Sequence, residues 1–299
     1  MRSIPRGRPL AAGVAAAALA LLAACHADRA TAPSTVPPTQ PPALSAAEAS
    51  SLAEAMTADA QGELEGITVT GGGLMPGLVS AFGLIDPLCV PTISPSPVVD
   101  TDHDGVPDSV RVTFPSCGFA MGSAADTVRG SIDLVDPTPT VADHDGRLRF
   151  IAFTRILVFD GKERSFVLNG MRQALRDATT IAMTDSSFGS TYTFPDGTTA
   201  TSERDGTSTF TADVAGSINP DAPLPSGSLN IKATATWTHG TNSYALTVST
   251  APSLHYNANC TVWPKFDAGT IQVIATRNGT TTTVTISFTA CGQYTVTRS

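Results

Sequence analysis

From about residue 106 to the C-terminus the chain repeats one unit: a run rich in Thr, Val, Ile and Phe, then a dipeptide ending in glycine. Asp160-Gly161, Asp196-Gly197, Asp205-Gly206, His239-Gly240 and Asn278-Gly279 stand between such runs. Tight hairpin turns need positive φ at both central residues. Glycine accepts this freely and Asn or Asp tolerates it, so each dipeptide marks a place where the chain can reverse. The runs fall at 108–114, 127–135, 147–159, 162–175, 179–185, 188–194, 198–203, 207–214, 227–238, 242–250, 253–262, 269–277 and 281–289. Helical spacing of apolar residues is absent there. The expectation is an all-β fold, an antiparallel meander of about ten to thirteen strands, built as a sandwich or as one strongly curved sheet. Alternating strands with short turns also describe an outer-membrane barrel, but aromatic residues make up only 6% of the chain, too few for two interfacial girdles.

The N-terminal third reads differently. Arg2, Arg6 and Arg8 precede an apolar run at 10–24 that is short for a bilayer span and has the form of an export signal. The run ends in Leu22-Ala23-Ala24-Cys25, which resembles the bacterial lipoprotein processing site, with Cys25 as the lipidated residue. Residues 29–43, RATAPSTVPPTQPPA, cannot bury enough apolar surface to fold and suit an extended tether. Ser45 and Glu48 form a capping box, with Leu52, Ala55 and Met56 at helical spacing behind it, so one short helix is expected at about 45–59. The expected organisation is a signal peptide (1–24), a lipidated cysteine with a Pro/Thr-rich tether (25–44), a short helix and irregular region with an acidic loop (45–105), and the antiparallel β domain (106–299).

Charge and cysteines narrow the function classes. The net charge is −8, and removal of residues 1–24 takes three arginines with it. Such an acidic chain is repelled by nucleic acid, so no nucleic-acid partner is expected. With Cys25 assigned to lipid, Cys89, Cys117, Cys260 and Cys291 remain, an even number suited to two disulfides in an oxidising compartment. Three pairings are open; the sequence-local one, Cys89 with Cys117 and Cys260 with Cys291, is preferred.

Two patches carry candidate chemistry. In VVDTDHDGVPDSVRVTF (98–114), Asp100, Asp102, Asp104 and Asp108 alternate around Gly105, with the Val106 carbonyl available, a spacing that lets side chains converge on a calcium ion. Arg111 stands where an EF-hand needs its bidentate glutamate, so this is no EF-hand. DTDHDGVPD resembles one unit of the thrombospondin type 3 calcium repeats. A second DHDG occurs at 143–146 with Val141 in place of the first aspartate. Asp and Gly are also plain turn residues, so an acidic turn without metal is the simpler reading. The other patch follows from the Asp160-Gly161 turn. If Phe159 pairs with Lys162, Arg149 opposes Arg172, and Arg147, Arg149, Arg155, Arg164, Arg172 and Arg176 share one face with Phe153 and Phe166. That face is either a shallow anion site or a surface neutralised by a neighbour such as Asp133 or Asp136.

Catalytic signatures are missing: there is no G-x-S-x-G elbow, H-E-x-x-H, Walker A loop or G-x-G-x-x-G after a strand. His255, on an expected strand, reads as a hydrogen-bonded structural histidine. An enzyme is not expected.

The lipidated start, DTDHDGVPDSVRVTF leading to Cys117, VRGSIDL, the hairpin RFIAFTRILVFDGKERSFVLNGMR and CTVWPKFDAGTIQV together resemble an uncharacterised family of gram-negative bacterial lipoproteins. The resemblance implies an exported, β-rich domain in the cell envelope, anchored to a membrane, most simply the outer one, through lipid. It implies no activity. The expected role is a structural or interaction module. The alternative is a carrier or receptor that binds a small or anionic ligand on a concave or arginine-lined sheet face.

Overall fold

The computed structural model describes residues 44–69 and 91–299, except 122, 123, 144, 160, 161, 220 and 221. The expected signal peptide, Cys25, the tether up to residue 43 and Cys89 lie outside the described residues. Among those described, no helix is long and apolar enough to cross a membrane.

One helix, α1 (Ala46–Val69), precedes thirteen strands. The first seven are β1 (Thr92–Ser94), β2 (Ser109–Met121), β3 (Ala124–Val135), β4 (Asp145–Phe159), β5 (Lys162–Arg176), β6 (Thr180–Thr193) and β7 (Thr199–Ala212). The remaining six are β8 (Gly227–His239), β9 (Asn242–Thr250), β10 (Leu254–Tyr256), β11 (Phe266–Arg277), β12 (Thr280–Ala290) and β13 (Gln293–Arg298). They form a single antiparallel sheet, in which nearly every strand pairs with its neighbour in sequence. Both β9 and β10 pair with β8 on one side and β11 on the other, so they act as two halves of one interrupted strand. The all-β meander is therefore one sheet, not a sandwich.

A seam of bulges crosses the first half of this sheet. Two residues oppose one at Pro115-Ser116 in β2, at Ile151-Ala152 in β4 and at Ser186-Ser187 in β6. The intervening strands β3, β5 and β7 carry Gly130, Gly170 and Gly206 beside the seam. Ala152 and Ser187 both take φ of 45°, and each has its backbone N–H caught by a side chain from the next strand. Ala152 N donates to Asn169 Oδ1 at 2.8 Å, and Ser187 N donates to Asp205 Oδ1 at 2.9 Å. Bulges raise local twist and bend the strand, which is how a long sheet curls. Asp205-Gly206 is accordingly no hairpin turn but the middle of β7, and the segments expected at 179–194 and 198–214 are two long strands rather than four. A Cβ on Gly206 would stand 2.7 Å from the Lys232 carbonyl of β8, so glycine is there for close approach.

The curled sheet turns its buried face toward α1. The reciprocal capping box closes the start of the helix: Ser45 N donates to Glu48 Oε2 at 2.9 Å and Glu48 N to Ser45 Oγ at 3.2 Å. From Leu52 to Leu64 the helix is buried almost all round, including Ala53, Ala55, Met56, Ala58 and Ala60. The helix runs about ten residues beyond the expected end, although Gly62 and Gly66 weaken it locally. Packing on several sides outweighs that propensity. The outward face is polar, with Thr201, Glu203, Lys232, Thr234 and Thr236 all exposed. Near the C-terminal end Cys260 and Cys291 form a disulfide with Cα atoms 5.7 Å apart. Cys117 is disulfide-bonded as well.

Candidate functional site

The acidic loop is the 95–108 connection between β1 and β2. Ser109 pairs with Val135, so the 136–144 loop that follows β3 leaves the sheet at the same edge. Carboxylate oxygens of Asp100, Asp102 and Asp104 lie within 4.8 Å of one another. Much of the loop is held by its own backbone. Asp100 accepts from His103 N at 2.8 Å and Gly105 N at 3.0 Å, Asp102 from Asp104 N at 3.1 Å, and Asp104 from Val106 N at 2.6 Å. Val106 is fully buried and pins the loop to the core. Asp108 stands apart: its carboxylate accepts from Thr101 N at 2.8 Å and Thr101 Oγ1 at 2.6 Å, which holds its pKa below the usual range.

The second loop brings carboxylates that the spacing of the first did not reveal. Asp136 N donates to the Pro107 carbonyl at 3.2 Å, which ties the two loops together. The Asp136 side chain is buried, and its Oδ1 accepts from Thr138 N at 2.7 Å. Burial, together with the charges of Asp102, Asp104 and Asp143, pushes its pKa up. Thr138 Oγ1 donates to Asp143 at 3.0 Å, and Asp143 Oδ1 accepts from Asp145 N at 3.1 Å. The only sign of this second element in the sequence was the repeated DHDG at 143–146.

The expected arginine face does not form. The Phe159–Lys162 pairing holds near the turn, but the Ile151-Ala152 bulge shifts the register, so Arg149 opposes Met171 and Leu148 opposes Arg172. The shift also changes which residues of β4 face inward, from Leu148 and Phe150 before the bulge to Phe153 and Arg155 after it. Arg147 and Arg149 are exposed, whereas Arg155, Arg172 and Arg176 are buried and Arg164 half-buried on the inner face. Outside, Asp133 lies between Arg111 and Arg149 and pairs with Arg111 at 2.5 and 2.8 Å.

The inward arginines join a charge network around α1. Arg164 pairs with Glu54, which also accepts from Tyr192 OH at 3.0 Å. Asp185 accepts from Arg172 Nε at 2.6 Å and Nη2 at 3.0 Å, and it also pairs with Arg204. Arg204 Nη1 reaches Glu63 Oε1 at 2.6 Å. Both guanidinium groups lie over the Phe188 ring, at 4.6 and 5.8 Å from its centroid. Burial raises the pKa of Asp59 on the same helix to about 6, against the opposing charge of Arg204. Glu48 goes the other way: hydrogen bonds from Tyr244, the Ser45 backbone and Asn242 outweigh its burial and hold it at about 2. These groups pin the helix against the inner face of the sheet.

His255 is held as a structural histidine. Its Nδ1 lies 2.6 Å from Asp267 Oδ1 and its Nε2 3.0 Å from Asp213 Oδ2, and both contacts raise its pKa. A carboxylate on each ring nitrogen suits the imidazolium and leaves neither nitrogen ready to act as a base. A shallow groove of about 590 Å³ lies over β5–β8, lined by Asn169, Ser187, Thr191, Thr201, Glu203 and Thr236. It carries hydroxyls, an amide and one carboxylate, and no basic or aromatic side chain.

The chain matches no protein-family model, no curated protein and no solved structure.

Proposed function

We propose that this chain is an exported lipoprotein of the cell envelope, held on a membrane through lipid at Cys25, whose folded part is a structural or interaction module. The observation that carries this reading is the place of α1. The concave face of the sheet, where a carrier would receive its ligand, is filled by Leu52, Met56, Leu64 and their ion-paired neighbours from the chain's own helix. What is left for contact is the polar outer face, the sheet edges and the loops. The carrier alternative has less to rest on, since the concavity is occupied and the arginines are divided between two faces. The reading includes calcium at Asp100, Asp102 and Asp104, ordering the loop that leads into β2 rather than serving catalysis.

The test is expression of the full chain and of Cys25→Ser in a gram-negative host, followed by membrane fractionation and intact-mass analysis. The wild-type chain should sediment with membranes and carry acyl mass on a chain that begins at residue 25. Cys25→Ser should lose both. A wild-type chain that is soluble and has no acyl mass would end the proposal.

A further inference from the structure

The strongest unassigned chemistry is at the sheet edge where the β1–β2 and β3–β4 loops meet. Three aspartates of the first loop are gathered there, but carboxylates in a turn need no ion. The second observation is Asp136. It comes from the other loop, is only 3% exposed, and its Oδ2 has no hydrogen-bond partner. Asp102 Oδ2, in the first loop, is also buried without a hydrogen-bond partner. The charges acting on Asp136, from Asp102, Asp104 and Asp143, are all negative.

A buried carboxylate oxygen ordinarily finds a donor, because leaving it bare loses its hydration with nothing in return. Here two bare oxygens, one from each loop, belong to carboxylates of which Asp136 feels the like charges of Asp102, Asp104 and Asp143. A small hard cation satisfies both and removes the repulsion. Calcium takes about six to eight oxygen ligands in flexible geometry, and carboxylates on irregular loops suit it. Magnesium demands near-octahedral geometry and keeps its waters, which fits such a site less well.

We propose that the two loops together hold one calcium ion, with Asp136 as the interior ligand that joins Asp102 and Asp104 of the first loop to Asp143 of the second. Asp145, one of whose oxygens is likewise without a partner, borders the site, while its other oxygen accepts from Gln173 at 2.7 Å. The inference rests on the reading of the acidic loop as a cation loop and adds a ligand that no motif in that loop contains. Its structural consequence is a clasp: the ion ties the start of β2 to the end of β3, beside the bond from Asp136 N to the Pro107 carbonyl.

The experiment titrates calcium chloride, by calorimetry and by thermal unfolding, into the full chain in detergent after dialysis against chelator. The wild-type chain should bind with Kd on the order of 0.1–1 mM, the range of extracellular modules. Its Tm should rise by about 5 °C or more near a hundredfold excess over Kd. Asp136→Asn, which keeps the acceptor for Thr138 N, should weaken binding at least tenfold, and Asp143→Asn should weaken it measurably. If Asp102→Asn abolishes binding while Asp136→Asn and Asp143→Asn keep wild-type affinity, the first loop binds calcium alone and the two-loop site is overturned. If the wild-type chain shows neither heat nor a Tm shift, the cation loop falls with it. Should Asp136→Asn fail to fold in chelator, Asp143→Asn, on a less buried side chain, decides between the two.

Discussion

Replacing Arg204 by methionine tests whether ion pairs really hold α1 inside the sheet. Arg204 Nη1 lies 2.6 Å from Glu63 Oε1, and among the described residues Glu63 Oε2 has no hydrogen-bond partner. The Glu63 side chain is 1% exposed and that of Arg204 10%. Methionine keeps much of the arginine stem but removes the charge, leaving a fully buried carboxylate stranded, while Asp185 retains its two bonds from Arg172. Breaking a buried pair in this way costs about 3–5 kcal/mol, mostly from the charge left behind. For a domain of this size that lowers Tm by roughly 6–20 °C. Arg111→Met is the control. Its pair with Asp133 has similar geometry but is 54% exposed on the arginine side, so solvent screening should make its loss far cheaper than that of Arg204. The assay is equilibrium urea unfolding, followed by the fluorescence of the two tryptophans, of which Trp237 is 1% exposed. A second replacement, Glu63→Met in the Arg204→Met background, removes the stranded charge and should recover at least about half of the loss. The reasoning fails if Arg204→Met costs no more than Arg111→Met, or if the double variant is no more stable than the single one.

Three further outcomes follow from the same geometry. Asp59 has a folded pKa of about 6, above its unfolded value, so it binds its proton more tightly when folded; its contribution is full below the unfolded pKa and is lost as pH rises toward about 6. Asp59→Asn, which keeps a partner for Ser190, should remove that slope and raise stability at pH 7 by about 1–3 kcal/mol, read by urea unfolding across pH. His255 has a folded pKa raised first by Asp213 and then by Asp267, so its stabilisation is full below the unfolded histidine pKa and fades as pH rises through the folded one. His255→Gln should flatten the wild-type loss of stability in that higher window, and an unchanged pH profile would refute the two-carboxylate clasp. Gly170 has φ of 124°, and a Cβ there would stand 2.8 Å from the Ser187 carbonyl and 2.9 Å from Phe188 Cα. Gly170→Ala should therefore cost about 2–4 kcal/mol in the same unfolding assay, whereas Gly197→Ala, in a turn where a Cβ has open space, should cost less.

The division between what was legible and what was not follows the range of the forces. Turn chemistry and period-two alternation act over a few residues, so Asp196-Gly197, His239-Gly240 and Asn278-Gly279 announce their reversals and the all-β meander is readable from them. The Ser45–Glu48 capping box is similarly short-range, whereas Cys260 and Cys291 are 31 residues apart and their pairing is one of three that the sequence leaves open. Bulges are not short-range features. Ile151-Ala152 looks like ordinary strand, and only the need to curl the sheet around α1 places two residues there against Asn169. That single extra residue defeats any face assignment carried outward from the turn, and so Arg155 and Arg172 are buried while Arg149 is exposed. Asp205-Gly206 misled for the same reason: it has turn composition, but its carboxylate holds the Ser187 bulge and its glycine admits the neighbouring strand. The acidic loop shows the same boundary. Asp100, Asp102 and Asp104 come together by their spacing alone. Asp136 and Asp143 come to the same edge of the sheet because Ser109 pairs with Val135 and both loops leave from there, a register decided by burial across the whole sheet and not by any residue in either loop.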